Sequence, residues 1–149
     1  MRGPAPPLRR PQMYQQMIFV NLPVGDVERA KEFFSALGFG INAQFSTEDV
    51  ASVVISDTIV AMMHSHTHYA QFTKKEIADA RSTSEVLVAL SAESREKVDE
   101  LVGKALAAGA TDNDRTQDYG FMYGRSFDDL DGHTWEVMWM DPAAVEGEA

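Results

Sequence analysis

The spacing of apolar residues predicts one strand, one helix and three further strands in the first half of the chain. "MIFVNLPV", from Met17, is typical of a strand and leads to Asp26, a good helix N-cap. Apolar residues then recur at helical spacing until Gly38, at Val27, Ala30, Phe34 and Leu37. Three strand-like segments follow, "INAQF", "VASVVIS" and "TIVAMMHS", and the last two are joined across "SDT" as a hairpin.

The second half repeats this order. "EVLVALS" predicts a strand, Ser94 is a helix cap, and Gly109 follows a helical stripe made of Val98, Leu101, Val102 and Ala105. A polar stretch "TDNDRTQDYG", the strand "FMYGRSF", the turn "DDLDGH" and the strand "TWEVMWM" complete it. Only the strand directly after the second helix is poorly marked. Each half therefore reads βαβββ, an α+β pattern whose copies are offset by roughly 70 residues.

These patterns predict one domain between two tails. The opening "MRGPAPPLRRPQ" holds four of the six prolines and lacks the apolar centre of a secretory signal, which indicates a disordered extension. A polar, partly helical segment separates the halves and is a possible lid. The predicted boundaries are an extension over 1–16, one domain over 17–141 with modules 17–68 and 84–141, a connector over 69–83, and a flexible tail over 142–149.

The composition of the chain argues against several classes of function. The 149 residues carry a formal charge of -10, which disfavours nucleic acids and anionic membranes. No apolar run approaches the roughly 18 residues that a membrane span needs. The absence of cysteine excludes disulfides and thiolate metal sites and is compatible with a reducing compartment. We therefore expect a cytoplasmic protein that contacts neither nucleic acid nor membrane.

Glu136 is the most unusual residue of the last predicted strand, because it lies between Trp135 and Val137. Alternation places Glu136 and Met138 on one face and the large indoles on the other, which suits a helix-covered side. If the preceding turn spans 129–132, Arg125 lies opposite Glu136. The carboxylate is then either one half of a buried ion pair or, if unpaired, a general base with a raised pKa.

Three histidines alternate in "HSHTH": His64, His66 and His68. An extended backbone would place all three on one face, where they could bind zinc or nickel, whereas in a polar connector they would be solvated. His64 is the member most able to reach the interior, if the strand extends that far. His133, within a tight turn, is expected to be structural. Tyr123 shares a strand face with Arg125 and is a second polar contact for a ligand.

The duplicated βαβββ order, the opening "LPVGDVERAKEFFSALGF", the helix end "ALAAGA" and the hairpin "DLDGHTWEV" resemble the vicinal oxygen chelate superfamily, which includes glyoxalase I, bleomycin resistance proteins and extradiol dioxygenases. The chain is most similar to the bacterial branch of predicted lactoylglutathione lyases. The resemblance implies two βαβββ modules that form an open, curved, mixed β-barrel with helices outside and a ligand in its concave face. It fixes no activity, since this scaffold hosts several chemistries.

The metal enzymes of this superfamily bind their ion through four side chains, one from the first and one from the last strand of each module. The resemblance places those positions at Phe19, Met62, Leu87 and Glu136. Phenylalanine and leucine cannot ligate a divalent ion, and a thioether is a poor ligand for hard cations. We therefore expect no metal cofactor, with a divalent ion such as zinc or nickel as the alternative.

Together these features lead to one preferred hypothesis and one competitor. The first is a homodimer that binds a small organic molecule without a metal, as a binder or a metal-independent enzyme. Its site is expected to contain Glu136 as catalytic residue and, as ligand contacts, Phe19, Met62, His64, Leu87, Tyr123, Arg125 and Met138. The competitor is a metal-dependent glyoxalase-like lyase, isomerase or dioxygenase in which residues such as His64 join Glu136.

Overall fold

In the computed structural model, which describes residue 3 and residues 14–146, the first half of the chain forms one four-stranded sheet and one long helix. Its elements are β1 (Ile18–Val24), α1 (Val27–Ala36), β2 (Gly40–Ile41), β3 (Val50–Val54) and β4 (Ile59–Ser65). The strand order of this sheet A is β1-β4-β3-β2, with β1 parallel to β4 and the other pairs antiparallel. Most of the predicted extension over 1–16 lies outside the described residues.

The second half repeats this topology. After α2 (His66–Tyr69) and the connector come β5 (Leu87–Ser91), α3 (Arg95–Ala107), β6 (Thr111–Asp118), β7 (Met122–Asp128) and β8 (Thr134–Met140). They form sheet B, of order β5-β8-β7-β6, in which β5 is parallel to β8. The duplicated α+β fold is therefore confirmed. No helix within the described residues is long and apolar enough to cross a bilayer.

Both long helices begin and end where the sequence predicted. The Asp26 carboxylate accepts a hydrogen bond from the backbone N–H of Arg29 at 3.1 Å, and Ser94 Oγ caps α3 in the same way. Beyond the helix ends, Gly38 and Gly109 have φ angles of +99° and +110°, a region that favours glycine. The predicted apolar stripes are buried or half-buried, and Phe33 adds to the one on α1.

One apolar core joins the two modules. α1 packs on sheet A, and its Phe33 and Phe34 also contact Phe127 and Trp135 of sheet B, with ring centroids 6.3 and 5.3 Å apart. Since neighbouring residues of a strand point to opposite faces, the other face of each sheet is directed away from this core. The described residues thus form two four-stranded sheets with outward faces, not one closed barrel.

Two segments differ from their predicted structure. In "INAQF" only Ile41 belongs to a strand, and Ala43–Phe45 form a 3-10 turn because the Asn42 side chain accepts from the backbone N–H of Gln44. The polar stretch after α3 is the full strand β6, although it has almost no buried side chain. β6 is the outer strand of sheet B and has an irregularity near Asp114, whose φ is 57°. An edge strand with two exposed faces gives no hydrophobic alternation to detect.

The turn between β7 and β8 is organised by a buried carboxylate. Asp129 is only 5% exposed, and its Oδ1 accepts hydrogen bonds from the backbone N–H groups of Asp131 and His133. Its Oδ2 accepts from the indole N–H of Trp135 at 2.9 Å. Burial raises the pKa of Asp129, whereas the charge of His133 and these donors act in the opposite direction. Three donors therefore satisfy a carboxylate that would otherwise be costly to bury.

The same turn binds the first module. His133 Nε2 lies 2.6 Å from the carbonyl oxygen of Pro23, so this ring nitrogen carries the proton and donates it. The Asp131 carboxylate accepts from the backbone N–H of Gly25 at 2.7 Å. Both acceptors lie where β1 passes into α1. We refer to these contacts of residues 129–135 with residues 23–25 as the turn clamp, and in it His133 has the structural role that the sequence predicted.

We expect Trp135→Phe to lower the free energy of unfolding by about 3 kcal/mol, because it leaves Asp129 Oδ2 buried without its donor and also removes apolar contacts. The matched control is Trp139→Phe, since the Trp139 indole is half-buried and makes no hydrogen bond to a described residue. Its expected cost is below about 1.5 kcal/mol. Urea unfolding measures both, and equal losses would contradict a special role for the Asp129 contact.

Candidate functional site

Glu136 lies on the outward face of sheet B, opposite to the buried indole of Trp135, as strand alternation predicted. Thr134, Glu136 and Met138 are half-buried on that face, while Trp135 and Val137 are buried in the core. The cross-strand neighbours of Glu136 are Ala89 on β5 and Ser126 on β7. Within the described part of the chain, its carboxylate has no ion pair and no hydrogen bond. It is therefore an unpaired acid in a partly apolar setting.

The predicted pairing of Glu136 with Arg125 is wrong. Asp128 lies opposite Thr134, not His133, so the turn has five residues and Arg125 lies opposite Val137. A shift of one residue reverses the face of every side chain. Arg125 therefore points to the α3 side of the sheet, where its Nη1 lies 3.1 Å from Asp99 Oδ1.

Tyr123 lies on the same side as Arg125, as expected, but that side does not include Glu136. Its hydroxyl donates to Asp99 at 2.6 Å, and this hydrogen bond, with Arg125, lowers the pKa of Asp99. Arg95 lies over the Tyr123 ring at 5.0 Å and pairs with Asp118 at 2.7 Å, which lowers the pKa of Asp118 to about 2. These partners join α3 to sheet B, so Tyr123 and Arg125 contact α3 on the face opposite to Glu136.

The four superfamily metal positions do not fit a metal ion. Phe19 and Leu87, on the outer strands of the two sheets, are 56% and 52% exposed, and neither has a donor atom. Met62 offers a thioether, so Glu136 alone supplies an oxygen. Among the residues that the structure describes, no three His, Asp or Glu side chains are grouped closely enough to hold an ion.

On the outward face of sheet A, the histidine triplet is divided. β4 ends at Ser65 and α2 begins at His66, so the alternation needed to align three rings is lost. His64 remains on the strand and is buried, His66 is exposed, and His68 lies one helical turn along, with its Nδ1 2.8 Å from Nδ1 of His64. The triplet thus forms a pair rather than the predicted alternative of a metal site.

Sequence reasoning did not single out Asn21, which belongs to the same face. Asn21 lies opposite Met62, and its Oδ1 is 2.7 Å from His64 Nε2. Its Nδ2 donates to the carbonyl of Phe19 at 3.3 Å, which fixes the orientation of the amide. The i, i+4 spacing of His64 and His68 could have predicted their contact, but only if the start of the helix at His66 had been known. Nothing local in the sequence relates Asn21 to a residue 43 positions away.

A cavity of about 550 Å³ lies beside the free edge of β1, beneath the connector. Its walls include Asn21, Tyr69, Ile77 and Val86, together with His133 of the turn clamp. None of the eight predicted site residues lines it. The connector therefore lies beside the second part of β1, from Val20 to Pro23, and not beside Glu136.

Comparisons with known proteins agree with this topology. The family model described as "Bleomycin resistance protein-like N-terminal" matches residues 16–56. A hypothetical protein from S. aureus is similar at 29% identity and a TM-score of 0.71, covering 85% of this chain and 94% of that one. A search of curated proteins gave no match.

Two further solved structures share the fold at lower identity. A glyoxalase/bleomycin resistance protein/dioxygenase family enzyme from Burkholderia phytofirmans PsJN has 20% identity and a TM-score of 0.68, over 82% of this chain and 96% of that one. A lactoylglutathione lyase from Agrobacterium tumefaciens has 12% identity and a TM-score of 0.62, over 87% and 95% respectively. At these identities the similarity concerns the fold alone.

We expect the stability effects of Glu136→Gln and Arg125→Met to add independently, because the two side chains lie on opposite faces. Glu136→Gln breaks no contact, whereas Arg125→Met removes a half-exposed ion pair worth less than about 1 kcal/mol. In urea unfolding, the double variant is expected to equal the sum within about 0.5 kcal/mol. The control cycle, Asp99→Asn with Arg125→Met, is expected to show coupling. A coupling energy above about 1 kcal/mol between Glu136 and Arg125 would contradict this prediction, because it would indicate that the two side chains form an ion pair.

Proposed function

Because the chain resembles the vicinal oxygen chelate superfamily in its fold and in its sequence pattern, we propose that it binds a small, largely apolar organic molecule at the outward faces of its sheets without a metal ion. The observation that carries the proposal is the unpaired carboxylate of Glu136. A half-buried acid with no protein partner is available to a ligand, as an acceptor of a hydrogen bond or as a general base that removes a proton.

The surroundings of Glu136 favour a ligand with apolar surface. Met138 and Thr134 flank it along β8, and Leu87 and Ala89 lie on the neighbouring strand β5. Methionine and leucine provide adaptable dispersion contacts, and the carboxylate provides one directional polar contact. Since the chain also carries a net charge of -10, the site favours a neutral or cationic molecule that donates a hydrogen bond to Glu136.

A second copy of the chain completes this site in our proposal. Large apolar side chains remain exposed on the outer strands, and they occupy equivalent positions in the two modules: Ile18 and Phe19 on β1, and Val86 and Leu87 at β5. β1 and β5 each have a free edge, which natural proteins usually cover. A cytoplasmic homodimer that joins the sheet A face of one copy to the sheet B face of another would cover both edges and enclose Glu136.

The alternative is a metal-dependent lyase, isomerase or dioxygenase of the same superfamily. The names of similar solved structures, which include a lactoylglutathione lyase, give this alternative its support. Phe19, Met62 and Leu87 argue against it, because together they offer no hard donor atom. His64 does not compensate, since its two ring nitrogens already bond Asn21 and His68. We therefore retain metal-free binding as the preferred function.

We expect a thermal-shift screen of small neutral and cationic organic molecules to yield ligands whose binding is unchanged by a chelator. Glu136→Gln is expected to weaken those ligands at least about tenfold, since it removes the only unpaired carboxylate identified on that face. Arg125→Met is the matched control, because it alters a charge on the opposite face. Ligands that require added zinc or nickel, or that bind Glu136→Gln unchanged, would contradict the proposal.

Light scattering at micromolar concentration is expected to give the mass of a dimer. Phe19→Asp and Leu87→Asp are each expected to shift the protein toward monomer, because they place a carboxylate at the proposed contact. Phe45→Asp is the control, since Phe45 is 59% exposed but lies in the 3-10 turn outside both strand edges. A monomeric parent protein, or dissociation caused equally by Phe45→Asp, would refute this interface.

A further inference from the structure

A buried polar group on sheet A is separate from the Glu136 site. His64 is 5% exposed, and its two ring nitrogens contact Asn21 Oδ1 at 2.7 Å and His68 Nδ1 at 2.8 Å. The ring planes of His64 and His68 differ by only 20°, and their centroids are 5.0 Å apart. This separation equals the nitrogen–nitrogen distance plus the two ring radii, so the rings meet edge to edge through a hydrogen bond.

The partners determine where the protons lie. Asn21 directs its Nδ2 to Phe19, so Oδ1 faces His64 and accepts a hydrogen bond from Nε2–H. Neutral His64 then has a lone pair on Nδ1, which accepts the Nδ1–H of His68. This leaves the lone pair of neutral His68 on Nε2. One additional proton can bind there without breaking the pair, and the hydrogen bond becomes charge-assisted.

A second proton is incompatible with the pair. It would have to occupy Nδ1 of His64, where it would face the N–H of His68 at 2.8 Å and place two positive charges side by side. Burial, and then the charge of His68, lower the pKa of His64 from its usual 6.5. Separated imidazoles would each bind a proton near pH 6.5. Acid therefore favours the separated arrangement, and opening takes up one proton.

The histidine pair holds one end of the connector. Phe72 packs against both rings, with centroids 5.5 and 5.3 Å away, and Tyr69 lies 5.9 Å from His64. The other end is held by groups that do not titrate near neutral pH. There the Arg81 guanidinium donates to the carbonyl of Leu130 at 2.9 Å, and the connector backbone passes directly over Gly132. Thr73 and residues 75–78, between these two attachments, line the 550 Å³ cavity.

We propose that the His64–His68 pair is an acid-released latch that holds the first part of the connector over the cavity beside β1. At neutral pH the hydrogen bond and the packing of Tyr69 and Phe72 keep the cavity covered. As the pH falls below about 6.5, the second proton separates His68 from His64, and residues 69–78 open while the Arg81 attachment remains. Access to the cavity is thereby controlled by pH, whatever ligand binds near Glu136.

The neighbours of the pair do not supply a competing switch. β1 contributes the uncharged Asn21, β3 contributes Val50 opposite His64, and the segment after α2 contributes Phe72. The titratable groups on adjoining elements include Tyr69, the exposed His66 of α2, which the control variant tests, and Asp49, whose carboxylate lies 3.4 Å from Ser65 Oγ. Histidine is the side chain that ordinarily changes charge between about pH 5 and pH 8, which assigns the transition to the pair.

Hydrogen exchange of peptides covering residues 69–78, corrected for intrinsic rates, tests the latch. Because opening takes up one proton, its equilibrium constant is expected to rise up to about tenfold from pH 6.5 to pH 5.5. His68→Gln removes the repelling charge but leaves His64 buried, so the rise is expected to be clearly smaller than in the parent protein. His66→Gln, a change of the exposed neighbour, is expected to retain the tenfold rise.

A peptide containing residues 135–137 of the buried strand reports whether each variant remains folded. A parent protein whose connector exchange changes less than about twofold over this range overturns the proposal, as does a tenfold rise that persists in His68→Gln. Nitrogen-15 spectra of the parent protein provide a test that needs no variant. They are expected to show Nδ1 of His64 without a proton and one proton bound by the closed pair near pH 5.5, and two bound protons overturn the proposal.

Discussion

The buried carboxylate of Asp129 is the constraint on which the arrangement of the two modules depends. Three N–H donors satisfy it: the turn between β7 and β8 supplies two, from Asp131 and His133, and Trp135 of β8 supplies the third. This requirement fixes the turn at five residues and directs His133 and Asp131 toward the backbone of residues 23–25. A local demand for hydrogen bonds in one module therefore sets the position of the other.

The length of this turn also determines the chemistry of the site. In a four-residue turn Arg125 would face Glu136 and neutralise it, which was the arrangement first expected. With five residues, Arg125 lies on the α3 side and binds Asp99, and Ser126 lies opposite Glu136. Because strand side chains alternate, Arg125 lies either on the face of Glu136 or on the opposite face, and the register decides which. The unpaired state of Glu136 follows from the hydrogen bonds of Asp129, which the spacing of the sequence does not reveal.

The features that could be predicted were those that depend on residues close together in the sequence. The caps Asp26 and Ser94, the glycines after both helices and the apolar helix stripes could be recognised because each depends on residues within one or two turns. β6 could not, since an exposed edge strand has no apolar face to mark it. The outward position of Glu136 followed from alternation, whereas its partner depended on register. The contact of His64 with Asn21 joins distant parts of the chain and was beyond sequence reasoning.

The two outward faces have diverged although their strands are equivalent. Phe19 and Leu87 occupy corresponding outer-strand positions and remain apolar, whereas Met62 and Glu136 occupy corresponding positions on the last strands and differ in charge. On sheet A the polar atoms belong to Asn21 and the histidine pair, and they satisfy one another. On sheet B the carboxylate of Glu136 has no such partner among the described residues. In the proposed function, a bound molecule supplies a donor to this carboxylate. This asymmetry between the faces is the reason that the proposed ligand site lies on sheet B and the proposed latch on sheet A.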